Sequence, residues 1–206
     1  MSRTLYPLFQ AIATAPTEQV LRFRVMDSIS EYFGVQRWGI YLLDSDNNLA
    51  SVDATFVERY QAFGKSVDPV LRYVLEYHAP AHEELVLPKG AWKQSELYKR
   101  CCSTYDHEHI MTGPLVGQGQ LVGTINFARI GHIPSFNQFD LASLGAVCTH
   151  FSARLAELRT RCSGPNPLIS RLTPREIQIA NLVAKGLTNA EIGAELWITQ
   201  NSVKQA

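Results

Sequence analysis

No stretch of this sequence offers the roughly 18 consecutive apolar residues of a membrane-spanning helix. Its opening segment, MSRTLYPLFQAIATAPTEQV, has one arginine and a broken apolar stretch, without the sustained apolar core of a signal peptide. An excess of one charge is missing too. Nineteen Lys and Arg face 19 Asp and Glu, so no global positive field draws the chain to polyanions, and any nucleic-acid binding must rest on a local motif. Four cysteines in 206 residues, two of them adjacent, do not make a disulfide framework. Internal repeats and low-complexity tracts are absent. So are a nucleophile elbow, a P-loop, a dinucleotide fingerprint and a zinc-protease helix. The Gly-x-Gly at Gly117 and Gly119 lies between two predicted strands and reads as a hairpin turn. These absences predict a cytoplasmic chain that is not an enzyme, with no cofactor, no metal and no membrane partner. What is present is a normal globular composition, 46% hydrophobic and 18% charged.

One boundary stands out. SGPNPLIS at 163–170 holds Gly, Asn and two Pro residues that break helices and strands alike. It predicts a sensor domain over 1–162, a linker over 163–170 and a small helical domain over 171–206. In the large segment, Val20, Leu21, Phe23, Val25, Met26, Ile29 and Phe33 mostly share one wide helical face, which Gly34 can end. QRWGIYLL at 36–43 reads as a strand, DSDNN at 44–48 as a turn and 49–55 as a partner strand. Helices are expected near 56–63, 69–77 and 92–102. A hairpin of 110–116 and 121–130 flanks GQGQ at 117–120. Over 137–161, Leu141, Leu144, Cys148, Phe151, Leu155 and Leu158 recur in steps of 3 and 4, a long amphipathic helix. The fold class is α+β, a central antiparallel sheet flanked by helices, followed by a partial all-α helix-turn-helix. This order resembles sensor modules of the GAF and PAS type, which implies a sheet forming one wall of a small-molecule pocket.

The last segment is the most informative. Thr173, Pro174 and Glu176 form a capping box with Pro at the first helical position, and Gly186 fits the helix end. Thr188 and Glu191 repeat the device, for a helix carrying Ile192, Ala194, Leu196 and Trp197. A turn at Ile198 and Thr199 leads into TQNSVK, with Val203 facing inward. Two short helices, a tight turn and a third helix describe a helix-turn-helix. LTPRE, the VAKGLTNAEIGAEL core and the I-T-x-x-S-V-K turn resemble the DNA-binding domain of LuxR-type bacterial transcription regulators. That family's domain continues through the rest of the recognition helix and a fourth helix. The sequence stops at Ala206, so the resemblance implies a truncated reading head. Thr188, Thr199, Gln200, Asn201, Ser202, Lys204 and Gln205 are the candidate DNA contacts, through base edges or phosphates.

The large segment offers several candidate sites. Trp38, Phe56, Tyr60, Asp68, Trp92 and Phe127 are expected around a partly apolar cavity. Phe56, Tyr60 and the Asp68–Pro69 pair also resemble the acyl-homoserine-lactone-binding domains of quorum-sensing regulators. There a Trp normally stands where this chain has Phe56, and Phe has no N–H to donate to the lactone carbonyl. Cys101 and Cys102, after Lys99 and Arg100, are candidate redox thiols if exposed. His78, His82, His107 and His109 lack the specific spacing of a metal site. The sequence thus predicts a signal-responsive, DNA-binding regulator that senses a small molecule or redox state. The alternative is a protein-interaction or dimerisation module that does not itself bind DNA. A homodimer is expected, with the 137–161 stripe either forming a two-helix seam or covering the domain's own sheet.

Overall fold

The computed structural model describes residues 4–43, 49–51, 54–163 and 173–205. The chain divides into two units, 1–159 and 160–206. Most of the expected linker and the 44–48 turn lie outside the described residues. Among those described, no helix is long and apolar enough to cross a membrane.

The first unit opens with α1 (Tyr6–Thr14), α2 (Glu18–Arg22) and α3 (Arg24–Phe33). Where periodicity predicts one helix from residue 20 to 33, the chain breaks at Phe23. Thr17 caps α2 by accepting from the Val20 N–H at 3.2 Å, and Phe23 itself is 45% exposed, off the buried face. Past the break, α3 buries Val25, Met26, Ile29 and Phe33 and ends at Gly34, whose φ of 61° suits glycine.

Strands β1 (Arg37–Leu42) and β2 (Leu49–Ser51) follow. The partner strand is shorter than expected, because α4 (Ala54–Arg59) starts where strand is predicted at 54–55. A π-helical turn over Tyr60–Gly64 leads to α5 (Pro69–Tyr77), β3 (Ala81–His82), α6 (Glu83–Val86) and α7 (Glu96–Arg100). The long hairpin of β4 (His107–Gly117) and β5 (Gln120–Ile130) turns through Gln118 and Gly119, both at positive φ (51° and 75°). That two-residue turn matches the strand twist, so pairing extends to Gly117 and Gln120, beyond the sequence estimate. The five strands lie in the order β2-β1-β5-β4-β3, every pair antiparallel.

Alternation assigns the two faces. Trp38, Ile40 and Leu42 of β1 and Ile125 and Phe127 of β5 enter one core, beneath α3 and α8 (Gln138–Ser163). On α8, Leu144, Cys148, Phe151, Leu155 and Leu158 are at most 5% exposed and belong to this same core. Of the two readings open for this stripe, the structure supports the second: it covers the domain's own sheet and is not a free seam. Close approach needs a glycine, since a Cβ on Gly113 would lie 2.5 Å from Cys148 Sγ and 2.8 Å from Leu144 Cγ. On the opposite face, the short elements between β2 and β4 build a smaller core from Val70, Val74, Trp92, Leu97, Cys101, Cys102, Ile110 and Ala128.

In the second unit, α9 (Pro174–Ala184), α10 (Asn189–Leu196) and α11 (Gln200–Gln205) pack around Ile179, Ile192 and Val203. Both capping boxes form. Trp197 departs from expectation. Expected within the helix, it instead ends α10 as its cap in the left-handed region (φ 56°), and it is 94% exposed.

Candidate functional site

On the second face of the sheet lies a cavity of about 340 Å³. Each element contributes by its own geometry. From β1 come Gly39 and Tyr41, the positions that alternate with the buried Ile40 and Leu42. Thr124, Asn126 and Ala128 of β5 alternate likewise with Ile125 and Phe127, while Ile110 and Thr112 come from β4. Leu71, Leu75 and Leu97 enter from the covering helices. Of the residues expected here, Trp38, Phe56, Tyr60, Asp68 and Phe127 line the cavity. Trp38 and Phe127, paired across β1 and β5, belong to the opposite core as well. Trp92 does not line it; the short helical turn Trp92–Gln94 places it in the wall of a second cavity.

Polar groups in the wall are mostly satisfied by one another. Asp68 is the N-cap of α5: its Oδ1 accepts from the N–H groups of Val70 (2.8 Å) and Leu71 (2.9 Å). Its Oδ2 accepts from the Tyr60 hydroxyl at 2.7 Å. Burial raises the Asp68 carboxyl above its ordinary value, against the lowering effect of those hydrogen bonds. Burial, followed by the charge of Asp68, pushes the Tyr60 phenol well above its usual range, so Tyr60 is a neutral donor. Across the sheet, Asn126 Nδ2 donates to Thr124 Oγ1 (3.0 Å) and the Gly39 carbonyl (3.3 Å), and Thr112 Oγ1 donates to Asn126 Oδ1 (3.2 Å). Phe56 stacks on Tyr60 and leans against His107, at centroid distances of 5.8 and 4.4 Å. A space this apolar, with a few fixed hydrogen-bonding groups, suits a small neutral molecule.

Cys101 and Cys102 are buried. Burial raises both thiols; Arg59 and Arg100 pull Cys101 the other way and do not prevail. Of the two preceding cations, Arg100 acts on Cys101 and desolvation outweighs it; Arg59, distant in sequence, acts more strongly. Cys102 lines the cavity as a protonated thiol. The sequence also misses His107, Thr112, Thr124 and Asn126 as wall residues. The available signal is the polar Thr124 and Asn126 set between Ile125 and Phe127 in an apolar strand.

In the second unit, the candidate DNA contacts divide into capping and free side chains. Thr188 caps α10 by accepting from the Glu191 N–H, and its hydroxyl and N–H, each donating to Glu191 Oε2 at 2.7 Å, hold Glu191 below the usual carboxylate range. Thr199 caps α11 by accepting from the Ser202 N–H at 3.1 Å, and the two hydroxyls lie 2.9 Å apart. Gln200, Asn201 and Lys204 are exposed on α11, while Val203 is buried with Ile192. The side chain of Gln205 lies outside the described residues.

Comparison with known proteins matches both units. Residues 18–155 fit the family described as "GAF domain", and residues 170–205 fit "Bacterial regulatory proteins, luxR family". The two-component response regulator PprB of Pseudomonas aeruginosa is 51% identical over 45 residues, 22% of this chain and 16% of PprB. The chain thus spans about one sixth of the length of that curated relative. Among solved structures, the N-acylhomoserine lactone dependent LuxR-family factor CepR2 of Burkholderia cenocepacia superposes with a TM-score of 0.54 at 16% identity, over 77% of this chain and 95% of CepR2. SdiA of Escherichia coli gives 0.52 at 18% identity, over 98% of this chain and 85% of SdiA. The GAF domain of an Acinetobacter phosphoenolpyruvate-protein phosphotransferase gives 0.52 at 15% identity, over 77% of this chain and 94% of that domain. At these identities the structures establish a shared fold.

Proposed function

The chain belongs to the GAF-domain family and carries a LuxR-type segment at 170–205, and from that premise we propose a signal-responsive, DNA-binding transcription regulator. Its first unit senses a small, neutral, largely apolar molecule; its second reads DNA as one half of a homodimer. The observation that carries the sensing role is the 340 Å³ cavity with apolar walls and one buried Tyr60–Asp68 pair. Thr112 lines that cavity, and the next residue, Gly113, packs against Leu144 and Cys148 of α8. A ligand that shifts β4 therefore presses on α8, the last helix before the second unit in chain order. A shift of this kind alters function only through a difference in ligand affinity between two states. On the DNA side, Gln200, Asn201 and Lys204 are the contacts, with Thr188, Thr199 and Ser202 near phosphates.

The ligand panel for the 206-residue chain is a series of neutral acyl compounds, N-acylhomoserine lactones included, read by thermal shift. Binding at a hundredfold excess over Kd adds about 2.7 kcal/mol of stability. The expected result is a raised Tm with at least one compound, and the same compound changes the mobility of duplexes selected from a random pool. If no compound stabilises the chain and no small molecule co-extracts with it, the sensing role fails. A lactone ligand is the narrower form of this reading, favoured by Tyr60 and Asp68 together. Phe56 argues for a head group that does not need the missing N–H donor.

A further inference from the structure

Beside the edge strand β3, away from the cavity already described, three ligand-type side chains converge. Glu83 opens α6 and is fully buried. Its Oε2 accepts from the Ile110 N–H at 3.0 Å, and its Oε1 lies 2.5 Å from His109 Nδ1. Glu84 is exposed, with its Oε2 accepting from Ser135 Oγ at 3.2 Å. One donor atom from each of Glu83, Glu84 and His109 lies within 4.8 Å of the other two. All three line a second cavity of about 320 Å³, together with Trp92, Lys93 and Glu108. Lys93 is already engaged by Glu108 at 2.7 Å, which leaves the other two carboxylates without a lysine partner there.

One further feature asks for an occupant. The indole Nε1 of Trp92, a residue in the wall of this cavity and only 5% exposed, is buried and has no hydrogen-bond partner among the described residues. Buried donors without partners are rare, and a bound ion or water is a common reason for one.

We propose that Glu83, Glu84 and His109 hold one divalent transition-metal cation of the Zn²⁺ type, whose open position carries a water or small anion that accepts from Trp92 Nε1–H. Two carboxylate oxygens and an imidazole nitrogen suit such an ion at about 2.0–2.2 Å, and three protein ligands leave a coordination position free. The Ile110 N–H holds Glu83 from behind, as an outer-shell partner orients a metal ligand. This site is independent of the apolar cavity, and its test does not depend on the sensing role.

Calorimetric titration of the chelator-treated 206-residue chain with Zn²⁺, with Mg²⁺ as comparator, decides it. One Zn²⁺ per chain is expected, with affinity reduced at least tenfold in E84Q and in H109Q. Zn²⁺ should also change the tryptophan fluorescence, and W92F should abolish that change while retaining the binding heat. Because Glu84 is exposed, E84Q keeps the fold and the test stands even where H109Q does not. No Zn²⁺ binding, Zn²⁺ binding of wild-type strength in E84Q, or equal binding of Mg²⁺ would each overturn the proposal.

Discussion

The two faces of the sheet are closed by different means. One is covered by α3 and the 26-residue α8, whose regular stripe fills the space against β1, β4 and β5 with buried aliphatic and aromatic side chains. The other is covered by short pieces, among them α4, α5 and α7, held by caps and turns; it encloses a cavity. A long helix repeats its apolar positions in register with a strand surface and packs it to interior density. Short helices, such as α5 capped by Asp68 and α7 capped by Ser95, do not repeat that register over the sheet, and a cavity remains among them. The filled face supplies most of the buried apolar core, and the other face leaves a cavity.

The largest test of that contrast is Phe151→Ala on the filled face. Phe151 is fully buried, so truncation should cost about 3–5 kcal/mol in denaturant unfolding. A cost below 1 kcal/mol would show that this face is not the closely packed one.

Next is Asp68→Ala on the open face, which strips the cap from Val70 and Leu71 and the acceptor from Tyr60. A loss of about 1–3 kcal/mol is expected, because buried donors are left unpaired. Asp68→Asn keeps an oxygen for the cap and should cost less than half as much.

Smaller still is Ala128→Leu, which adds volume where the cavity has space. Unlike overpacking on the filled face, it should change stability by less than about 1 kcal/mol while abolishing ligand-induced thermal shifts. A large destabilisation would mean that the cavity cannot accept side-chain volume.

The smallest effect is a pH slope at the sheet edge. Burial lowers the His82 pKa below its ordinary value, so the unfolded chain binds its proton more readily. The stability this contributes is present above the unfolded value of about 6.5 and is lost as pH falls through the lower folded value. Unfolding midpoints from pH 7.5 down to 5 should therefore fall less steeply in His82→Gln than in the wild type. Parallel slopes would remove His82 as a cause.

Elements with local signals were legible in advance. The stripe of α8, the β4–β5 hairpin, Gly34 as the end of α3, and the Thr173 and Thr188 capping boxes all rest on contacts between near neighbours in the chain. Misreadings came where the same local signal serves two outcomes. Phe23 continues an apolar period yet sits at a helix break, because the Thr17 cap starts a separate short helix. Trp197 follows an apolar helix yet takes the left-handed position that ends it. Around the candidate site, Tyr60 and Asp68 were recognisable through their resemblance to the pattern of lactone-binding domains. His107, Thr112 and Asn126 were not, because a strand position reveals its face only once its neighbours are known.

By itself the sequence determined the α+β order, the helix-turn-helix segment and the apolar stripe of α8, since caps, turn residues and periodicity act within a few residues. Tertiary structure decided where those surfaces went. It turned the α8 stripe onto its own sheet, sent Trp92 to the second cavity and gathered Gly39, Asp68, Leu97 and Asn126 around the first. It also brought Glu83 within reach of His109, 26 positions away. The physical reason is range. A cap or a hydrophobic period is settled by neighbours in the chain, whereas a cavity is the space left by segments packed from distant parts of it, and no local pattern records its shape.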